Sequence, residues 1–369
     1  GILPLKTLQV DLGKRKYVIT IGEGVLAQAD KLLANVPGLE GLPIVVSNRK
    51  VLRLHGGALL KSLHRVFDRI SVVKMGDGER YKDHATLLHI YNAMFRAGAD
   101  RRSWILAFGG GVVGDMAGFA AATFMRGIPF VMAPTTLLAQ VDSSIGGKVG
   151  INVDWGKNLV GAFHQPSAVL SDTGVLKTLP SRELAAGLYE VIKCGAIRSV
   201  ALLQYIEENL AGILNCGARE TENIVYQAAR IKAAVVERDE KETGLRMILN
   251  YGHTIGHALE AATNYQRFKH GEAVAWGMIA ALQFGRELGF LSSKSGARLQ
   301  NLIRSVGRLP SLRGISCNEL WRALARDKKF ASGDIRMVFL RRLGKAEIYS
   351  GIDPRRLRRF LKDFLEANN

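Results

Sequence analysis

The sequence predicts an α/β fold in the first half of the chain and a mainly helical second half. In the first half, short apolar stretches alternate with stretches of helical periodicity, an order that indicates a parallel sheet with helices on its faces. From residue 176 onward, long segments carry apolar residues at helical spacing. The chain has 369 residues, 47% of them hydrophobic, so it is long enough for two domains. We expect these at residues 1–175 and 176–369.

The individual elements follow from apolar spacing and from the glycines and prolines that bound it. Strands are expected at residues 8–11, 17–22, 43–47, 70–74, 103–108 and 129–133. Helices are expected at residues 84–97, 116–123, 181–197, 201–209, 220–242, 253–263, 272–288, 299–305, 318–325 and 354–366. A short β-hairpin is expected at residues 335–340 and 345–350.

Cysteine content and hydropathy restrict the class of protein. The three cysteines are widely spaced and form neither a disulfide framework nor a CxxC metal site, which is typical of a reducing compartment. No run of about 18 apolar residues is present that would cross a membrane. No secretory signal precedes the first expected strand. These features predict a cytoplasmic protein without a membrane anchor.

The net charge of +18 has two interpretations. One is binding to nucleic acid by neutralising its phosphates, and the other is a basic enzyme that handles small anions. The positive charge is spread along the chain, and its densest run, at residues 355–362, has the pattern of an amphipathic helix with a solvated basic face. No nucleic-acid-binding motif accompanies it, so the enzyme is favoured.

Three of the eight histidines, His253, His257 and His270, lie within eighteen residues. Neutral imidazole is a common zinc ligand, and two histidines four residues apart share one face of a helix. Thr254 occupies the position of the glutamate that a zinc protease needs as its base, so a metal here serves other chemistry. Taken alone, His257 is also compatible with a histidine in an apolar core.

A glycine-rich turn, GGGVVGD at 109–115, follows an expected strand and opens a helix. Glycines at such a place let the backbone approach a pyrophosphate, and the helix N-terminus supplies N–H donors. The spacing differs from GxGxxG, and a tight turn is the alternative. The segment at 77–82 also follows a strand. Glu79 and Lys82 there are compatible with ribose and phosphate contacts, or with a solvated charged loop.

Further polar residues follow the next expected strand, in PTTLLAQVDSSIGGK at 134–148 and GKNLVGAFHQP at 156–166. Lysines, an amide and small residues at this density favour a cradle for a phosphate and several hydroxyls. Glu190 and Lys193, in YEVIK at 189–193, share a helix face. By itself this pair indicates a surface ion pair, but it also offers the carboxylate that a site with two histidines lacks.

Together with NYGHTIGHALE at 250–260 and HGEAV at 270–274, these blocks resemble the 3-dehydroquinate synthase family nearly from end to end. The resemblance implies an α/β, Rossmann-like NAD-binding N-terminal domain and a mainly α-helical, metal-binding C-terminal domain, with the active site in the cleft between them. It also implies a homodimer without nucleic acid or membrane partners. One departure concerns the adenosine ribose, because Ser47-Asn48 provides no carboxylate at the end of the early strand.

The site residues that the resemblance implies are as follows. Zinc, or cobalt in its place, is expected on Glu190, His253 and His270. Catalytic and substrate-binding roles are expected for Lys148, Lys193, Lys232, Arg246, Asn250 and His257. Further substrate contacts are expected for Asp142, Asn158, Lys329 and, from the neighbouring subunit, Arg126. Contacts with NAD are expected for Asp77, Glu79, Lys82, Gly110, Gly111, Val112, Val113, Gly114, Asp115, Thr135, Thr136, Lys148, Lys157 and Thr178.

The reaction that the resemblance implies is the conversion of 3-deoxy-D-arabino-heptulosonate 7-phosphate to 3-dehydroquinate. It combines transient oxidation by NAD, β-elimination of phosphate, re-reduction, ring opening and intramolecular aldol closure, as a phosphorus–oxygen lyase of the shikimate pathway. Other sugar phosphate cyclases and a polyol dehydrogenase of the glycerol dehydrogenase type remain as alternatives. A basic nucleic-acid-binding module has only the net charge in its favour.

Overall fold

The computed structural model describes residues 3–326, 330 and 334–369. The chain forms two compact units. The first unit comprises Gly1–Pro180 and Asn215–Glu237, and the second comprises Ser181–Leu214 and Arg238–Asn369. The second half of the chain therefore contributes residues to both units.

Seven strands among the described residues form the sheet of the first unit. These are β1 (Lys6–Val10), β2 (Tyr17–Gly22), β3 (Pro43–Asn48), β4 (Ser71–Met75), β5 (Trp104–Gly109), β6 (Phe130–Pro134) and β9 (Ala168–Asp172). Their order is β1-β2-β9-β6-β5-β3-β4. β1 is antiparallel to β2, and every other neighbouring pair is parallel. The central strands are almost wholly buried, which explains their near-continuous apolar sequences.

The connections of the sheet change direction at β3. The chain passes from β3 to β4 on one side and then to β5 on the other side of β3. In open parallel sheets, ligands bind beyond the carboxyl ends of the strands at such a reversal. This edge, where β3 ends at Asn48 and β5 ends at Gly109, is therefore the expected ligand position in the first unit.

The other elements of the first unit are helices and one hairpin. The helices are α1 (Ala29–Leu33), α2 (Arg49–Leu63), α3 (His84–Arg96), α4 (Gly111–Thr123) and α7 (Ala218–Arg238). The hairpin pairs β7 (Lys148–Val153) with β8 (Gly156–Phe163). Two contacts join α7 to the rest of the unit. Lys6 Nζ forms an ion pair with Glu222 Oε1 at 3.2 Å, and the Asp11 amide donates to Glu237 Oε1 at 2.8 Å.

The second unit is mainly helical. Its helices are α5 (Ser181–Arg198), α6 (Val200–Leu214), α8 (His253–Ala262), α9 (His270–Glu287), α10 (Ser293–Val306), α11 (Cys317–Ala325) and α12 (Pro354–Ala367). The expected hairpin is present as β10 (Met337–Arg342) and β11 (Lys345–Tyr349). In the described ranges, every helix is either too short or too polar to traverse a bilayer.

The α/β first half and the helical second half confirm the predicted fold class, with differences at particular elements. α4 begins at Gly111, five residues before the predicted start, because the glycine-rich turn itself forms the first helical turn. α7 ends at Arg238 rather than at 242. It stops there because the Asp239 carboxylate accepts hydrogen bonds from the amides of Thr243, Gly244 and Arg246, which fold the chain back.

Five segments of the first unit were not predicted as helices or strands, and one of them is the five-residue helix α1. α2 contains two adjacent glycines at residues 56 and 57, which weaken its helical pattern. β8 has no buried residue, so its sequence lacks the alternation of a half-buried strand. β7 and β8 lie within the stretch that was interpreted only as a ligand cradle. β9 was also not predicted.

Candidate functional site

Glycines bring helices α5, α8 and α9 of the second unit into backbone contact. A Cβ atom built on Gly271 would lie 1.9 Å from the Ala186 carbonyl oxygen, so α9 meets α5 at a distance that only glycine allows. A Cβ atom on Gly277 would lie 1.8 Å from the carbonyl oxygen of Gly252, which itself has a φ of +79°. These contacts fix the first turn of α9 beside α5 and the start of α8 beside α9.

The side chains that meet there form the candidate metal centre. Nε2 of His253 lies 3.5 Å, and Nε2 of His270 lies 3.3 Å, from Oε1 of Glu190. His253, His257 and His270 also form a group whose ligand atoms lie within 4.8 Å of one another. The His257 side chain is exposed, so it is not a core histidine.

Charge compensation dominates the environment of Glu190. Its carboxylate is 1% exposed, and Lys193 Nζ lies 2.5 Å from Oε2, so this pair is buried rather than on the surface. Burial opposes ionisation, but Lys193 and the two histidines outweigh it and hold the pKa of Glu190 well below its usual range. Glu190 is therefore an anion ready to bind a cation.

The two histidines beside Glu190 have opposite shifts in pKa. Burial, with the nearby charge of Lys193, holds the pKa of His253 well below its usual value. Burial also disfavours the charged form of His270, but Glu190 and Glu260 outweigh it and raise the pKa of His270 to about 10. A metal ion at this position would replace the proton of His270.

The donor set fits a divalent metal ion. Both carboxylate oxygens of Glu190 are buried, and neither receives a well-directed hydrogen bond from the described residues, although Lys193 pairs with one of them. One carboxylate and two imidazoles, with a further position left for substrate, is the ligand set of many catalytic zinc sites. The second unit thus brings the predicted Glu190, His253 and His270 together.

In the first unit, the predicted NAD contacts follow the carboxyl ends of neighbouring parallel strands. They come after β4, β5, β6 and β9, and the parallel strands all end at the same edge of the sheet. The residues concerned are Asp77, Glu79, Lys82, Gly110, Gly111, Val112, Val113, Gly114, Asp115, Thr135, Thr136 and Thr178. Lys148 and Lys157 lie on the β7–β8 hairpin instead.

A network of charged and amide groups links this edge to the hairpin. Lys82 is buried, and its Nζ lies 2.5 Å from both Asp115 Oδ2 and Asn158 Oδ1. Asn152 Nδ2 donates to Glu79 Oε1 at 2.8 Å, and Lys157 Nζ lies 3.8 Å from the same oxygen. The solvated-loop interpretation is therefore wrong for Lys82.

The start of α4 is a cradle that side chains would fill. Gly110 is its N-cap residue. A Cβ atom on Gly110 would lie 3.1 Å from Thr136 Cγ2, and one on Gly111 would lie 3.1 Å from Ser143 Oγ. The first N–H groups of α4 can donate hydrogen bonds to a phosphate at close range because these positions are glycine. The cradle therefore fits the pyrophosphate of a dinucleotide.

The predicted substrate residues occur in both units. In the first unit, Lys232 Nζ lies 2.5 Å from Oδ1 of Asp142. In the second unit, Arg246 is buried and donates to the Glu240 carbonyl, and Asn250 Nδ2 donates to Glu242 Oε1 at 2.7 Å.

Four of the other predicted substrate residues, namely Lys148, Asn158, His257 and Arg126, are exposed, and one is not described. Lys148 is exposed at the start of β7. Arg126 is exposed with a φ of +66°. Lys329 lies outside the described residues. Their roles in binding substrate stay predictions.

Sequence reasoning missed several residues that contact the predicted ones, among them Glu260, Asn152 and Asn48. Oε2 of Glu260 lies 3.2 Å from Nδ1 of His270. Glu260 follows His253 by seven residues and shares its face of α8, and this spacing could have revealed it. Asn152 contacts Glu79 and also accepts from the amide of Asn158. Asn48 donates to Asp77 Oδ1 at 3.4 Å and caps α2 through its Oδ1.

Comparison with known proteins assigns the chain to one family along most of its length. A family model described as 3-dehydroquinate synthase N-terminal matches residues 72–186, and one described as 3-dehydroquinate synthase C-terminal matches residues 187–330. A protein of Pelotomaculum thermopropionicum named 3-dehydroquinate synthase is 45% identical over 365 residues, which cover 98% of this chain and 97% of that protein.

Two solved structures with bound ligands share the fold. A 2-deoxy-scyllo-inosose synthase complexed with carbaglucose-6-phosphate, NAD+ and Co2+ has a TM-score of 0.87 at 27% identity, covering 97% of this chain and 100% of that chain. The 2-epi-5-epi-valiolone synthase of Streptomyces hygroscopicus subsp. jinggangensis, with NAD+ and Zn2+ bound, has a TM-score of 0.85 at 26% identity, covering 100% and 99% of the two chains.

Proposed function

Because the chain belongs to the 3-dehydroquinate synthase family, we propose that it converts 3-deoxy-D-arabino-heptulosonate 7-phosphate to 3-dehydroquinate and inorganic phosphate, a step of the shikimate pathway. The observation that carries this proposal is the 45% identity to a protein of that name over 98% of the chain. The reaction makes the protein a phosphorus–oxygen lyase with a redox cofactor and a metal ion.

NAD is the proposed cofactor of the first unit. When bound, it accepts a hydride from the substrate and returns it within the same turnover. The N–H groups of the first turn of α4 would hold its pyrophosphate, with Thr135 and Thr136 on the neighbouring strand end. Lys82 organises this edge through Asp115 and Asn158. The Glu79 carboxylate would accept hydrogen bonds from the ribose hydroxyls.

A divalent ion, zinc or cobalt, is the proposed metal of the second unit. When bound, it acts as a Lewis acid on substrate hydroxyls. Glu190, His253 and His270 would hold it, and the buried charge of Lys193 keeps Glu190 ionised. His257, which is exposed beside the two histidine ligands, is suited to exchange a proton with a substrate hydroxyl through a ring nitrogen.

Cationic side chains would bind the two anionic ends of the substrate. Lys148 with Asn158, and Arg126 from the neighbouring subunit of a homodimer, are proposed for the phosphate, with Lys329 as a further cation. Arg246 is proposed for the carboxylate, with Lys232. The Arg246 guanidinium is oriented by the Glu240 carbonyl, so it is preorganised for a planar carboxylate.

The carboxylate of the heptulosonate distinguishes it from sedoheptulose 7-phosphate, a possible substrate of other sugar phosphate cyclases. Sedoheptulose 7-phosphate lacks this group, so a pocket with a buried arginine should bind that substrate poorly, because it cannot supply the carboxylate that the guanidinium recognises. The buried Arg246 therefore favours the heptulosonate.

The experiment is an assay of phosphate release by the metal- and NAD-loaded protein with each sugar phosphate in turn. We expect turnover with the heptulosonate and a kcat/KM at least about 1,000-fold lower with sedoheptulose 7-phosphate, because a charged partner is lost. Arg246→Met should reduce kcat/KM for the heptulosonate by a similar factor, and Arg298→Met, which alters a surface ion pair with Glu207, is the matched control. Preferential turnover of sedoheptulose 7-phosphate would overturn the proposal.

A further inference from the structure

We propose that Glu260 is a positioning residue that orients His270 for metal binding and supplies counter-charge to the bound ion. The inference rests on the proposed function only in that a metal ion occupies the cluster. The observation behind it is the distance of 3.2 Å between Glu260 Oε2 and Nδ1 of His270.

Helix geometry explains how Glu260 reaches this position. His253, His257 and Glu260 are at positions i, i+4 and i+7 of α8, so they project from one face. α9 begins with His270 and packs closely against that face, because Gly256 has no side chain: a Cβ atom there would lie 2.9 Å from the Ala273 carbonyl oxygen. Glu260 is only 7% exposed, so solvent does not compete strongly for its carboxylate.

The contact fixes which nitrogen of His270 is available for a metal. In the neutral ring, an Nδ1–H that donates to Glu260 leaves the lone pair on Nε2. Nε2 is also the atom that faces the proposed ligand Glu190, at 3.3 Å from Oε1. Carboxylates in this position orient metal-binding histidines and increase their basicity.

His253 provides an internal comparison. Its Nδ1 lies 3.3 Å from the Tyr251 carbonyl oxygen, and its Nε2 faces Glu190 Oε1 at 3.5 Å. Both histidines are therefore held through Nδ1 and present Nε2, but one is held by a neutral carbonyl group and the other by a carboxylate.

The balance of charge gives Glu260 a second role. Glu190 and Lys193 form a buried pair whose charges cancel, so the pair contributes no net countercharge to a divalent ion. The Glu260 carboxylate, acting through His270, provides one negative charge in a buried environment where charges are weakly screened. Removing the charge alone should thus have an effect separate from removing the hydrogen bond.

The experiment compares Glu260→Gln and Glu260→Ala with wild-type protein and with the control Glu207→Gln. Glu207 lies in the same unit, outside the metal cluster, and its Oε2 forms an ion pair with Nη2 of Arg298 at 2.8 Å. Apo-protein is titrated with Zn2+ in competition with a chromophoric chelator, and the visible absorption spectrum of the Co2+ form is recorded. No substrate is needed, so a failure of the proposed reaction would leave this result interpretable.

We expect Glu260→Ala to weaken Zn2+ binding about 10–100-fold, as is usual for a lost partner of a ligand histidine. Glu260→Gln should have a smaller effect, because the amide oxygen still accepts from Nδ1 while the charge is gone. The Co2+ spectrum of Glu260→Ala should also change, whereas a general loss of structure would leave the spectrum of the remaining folded protein unchanged.

Two results would overturn the proposal. One is Zn2+ affinity within about twofold of wild type in both Glu260 variants, since RT ln 2 is far below the cost of losing an orienting partner. The other is a loss of bound metal in Glu260→Ala that only parallels its unfolded fraction, measured by circular dichroism, while Glu260→Gln binds like wild type with an unchanged Co2+ spectrum.

Discussion

The metal cluster of the second unit and the glycine-rich cradle of the first unit both depend on glycine, but for different reasons. At Gly271 and Gly277, a Cβ atom would lie less than 2 Å from the backbone of another segment, so glycine is needed for helices to pack. At Gly110 and Gly111, the nearest atoms are side-chain atoms at 3.1 Å, so a small side chain can be accommodated within the protein itself. Glycine thus preserves the fold in one region and keeps room for a ligand in the other.

The two regions also differ in how their charges are arranged. In the second unit, Glu190 and Lys193 are buried with each other. In the first unit, Lys82 is buried but pairs with the partly exposed Asp115, and Glu79 is exposed. Changes in the metal cluster should therefore affect stability and metal binding together, whereas changes at the sheet edge should affect mainly the ligand. The predictions below test this difference.

The largest effect is expected for His270→Ala. It removes a proposed metal ligand, so Zn2+ affinity should fall by more than about 100-fold, beyond the usual effect of losing a partner of a ligand. Turnover should be lost with the metal. Metal analysis after dialysis, together with the activity assay, checks this, and His89→Ala on the exposed face of α3 is the control. Stoichiometric zinc in His270→Ala would show that the ligand set is wrong.

The next effect is expected for Gly271→Ala. The new methyl group meets the Ala186 carbonyl oxygen, so α9 must move away from α5. We expect destabilisation by about 1–3 kcal/mol in urea unfolding, since overpacking is costly, and weaker Zn2+ binding. Gly57→Ala in α2 is the matched control, because nothing lies within 4 Å of its Cβ position. That variant should be about 0.5–1 kcal/mol more stable than wild type. Equal stability of the two variants would contradict the packing argument.

A smaller and more selective effect is expected for Gly110→Ala. The methyl group fits against Thr136 but occupies the space above the first turn of α4. NAD affinity should fall about tenfold, equivalent to 1.4 kcal/mol, while the free energy of unfolding changes little. Isothermal titration with NAD+ and urea unfolding measure the two quantities on the same sample. A loss of stability with unchanged NAD affinity would show that Gly110 is needed for packing and not for ligand binding, which would contradict the comparison.

The smallest effect is expected for Asp239→Asn. Hydrogen bonds from the amides of Arg246 and Thr243 lower the pKa of Asp239 to about 2, from an ordinary value of 3.8. A lowered pKa stabilises the fold at pH values above 3.8, and this contribution is lost as the pH falls through 2. The Tm of wild type should therefore decrease more steeply between pH 4 and pH 2 than that of Asp239→Asn. Parallel pH profiles would exclude this role for Asp239.

Much of the fold was predictable because its core strands are buried and apolar. β3, β5 and β6 were predicted to within about a residue at each end, since their sequences are nearly continuous apolar runs bounded by polar or glycine residues. β8 was missed for the opposite reason, because all of its residues are exposed or half-buried. Sequence periodicity reports burial, so an exposed strand such as β8 leaves no signal.

The candidate sites were predictable only where their residues are close in sequence. The spacing of His253 and His257 indicated a shared helix face, and Glu260 lies on it as well. In contrast, Lys82 and Asn158 are 76 residues apart, and their contact depends on the folding of the hairpin. Glu190 likewise becomes a neighbour of His270 only through the packing of α5 against α9. For such pairs, family resemblance supplied what local patterns could not.

The most direct test of the proposed function is the stoichiometry of one reaction. The protein, reconstituted with Zn2+ and NAD+, is mixed with 3-deoxy-D-arabino-heptulosonate 7-phosphate while phosphate, 3-dehydroquinate and NADH are measured together. We predict equal amounts of phosphate and 3-dehydroquinate, no accumulation of NADH, and loss of both products when a chelator is present. Steady accumulation of NADH without release of phosphate would instead identify a polyol dehydrogenase and would contradict the proposal.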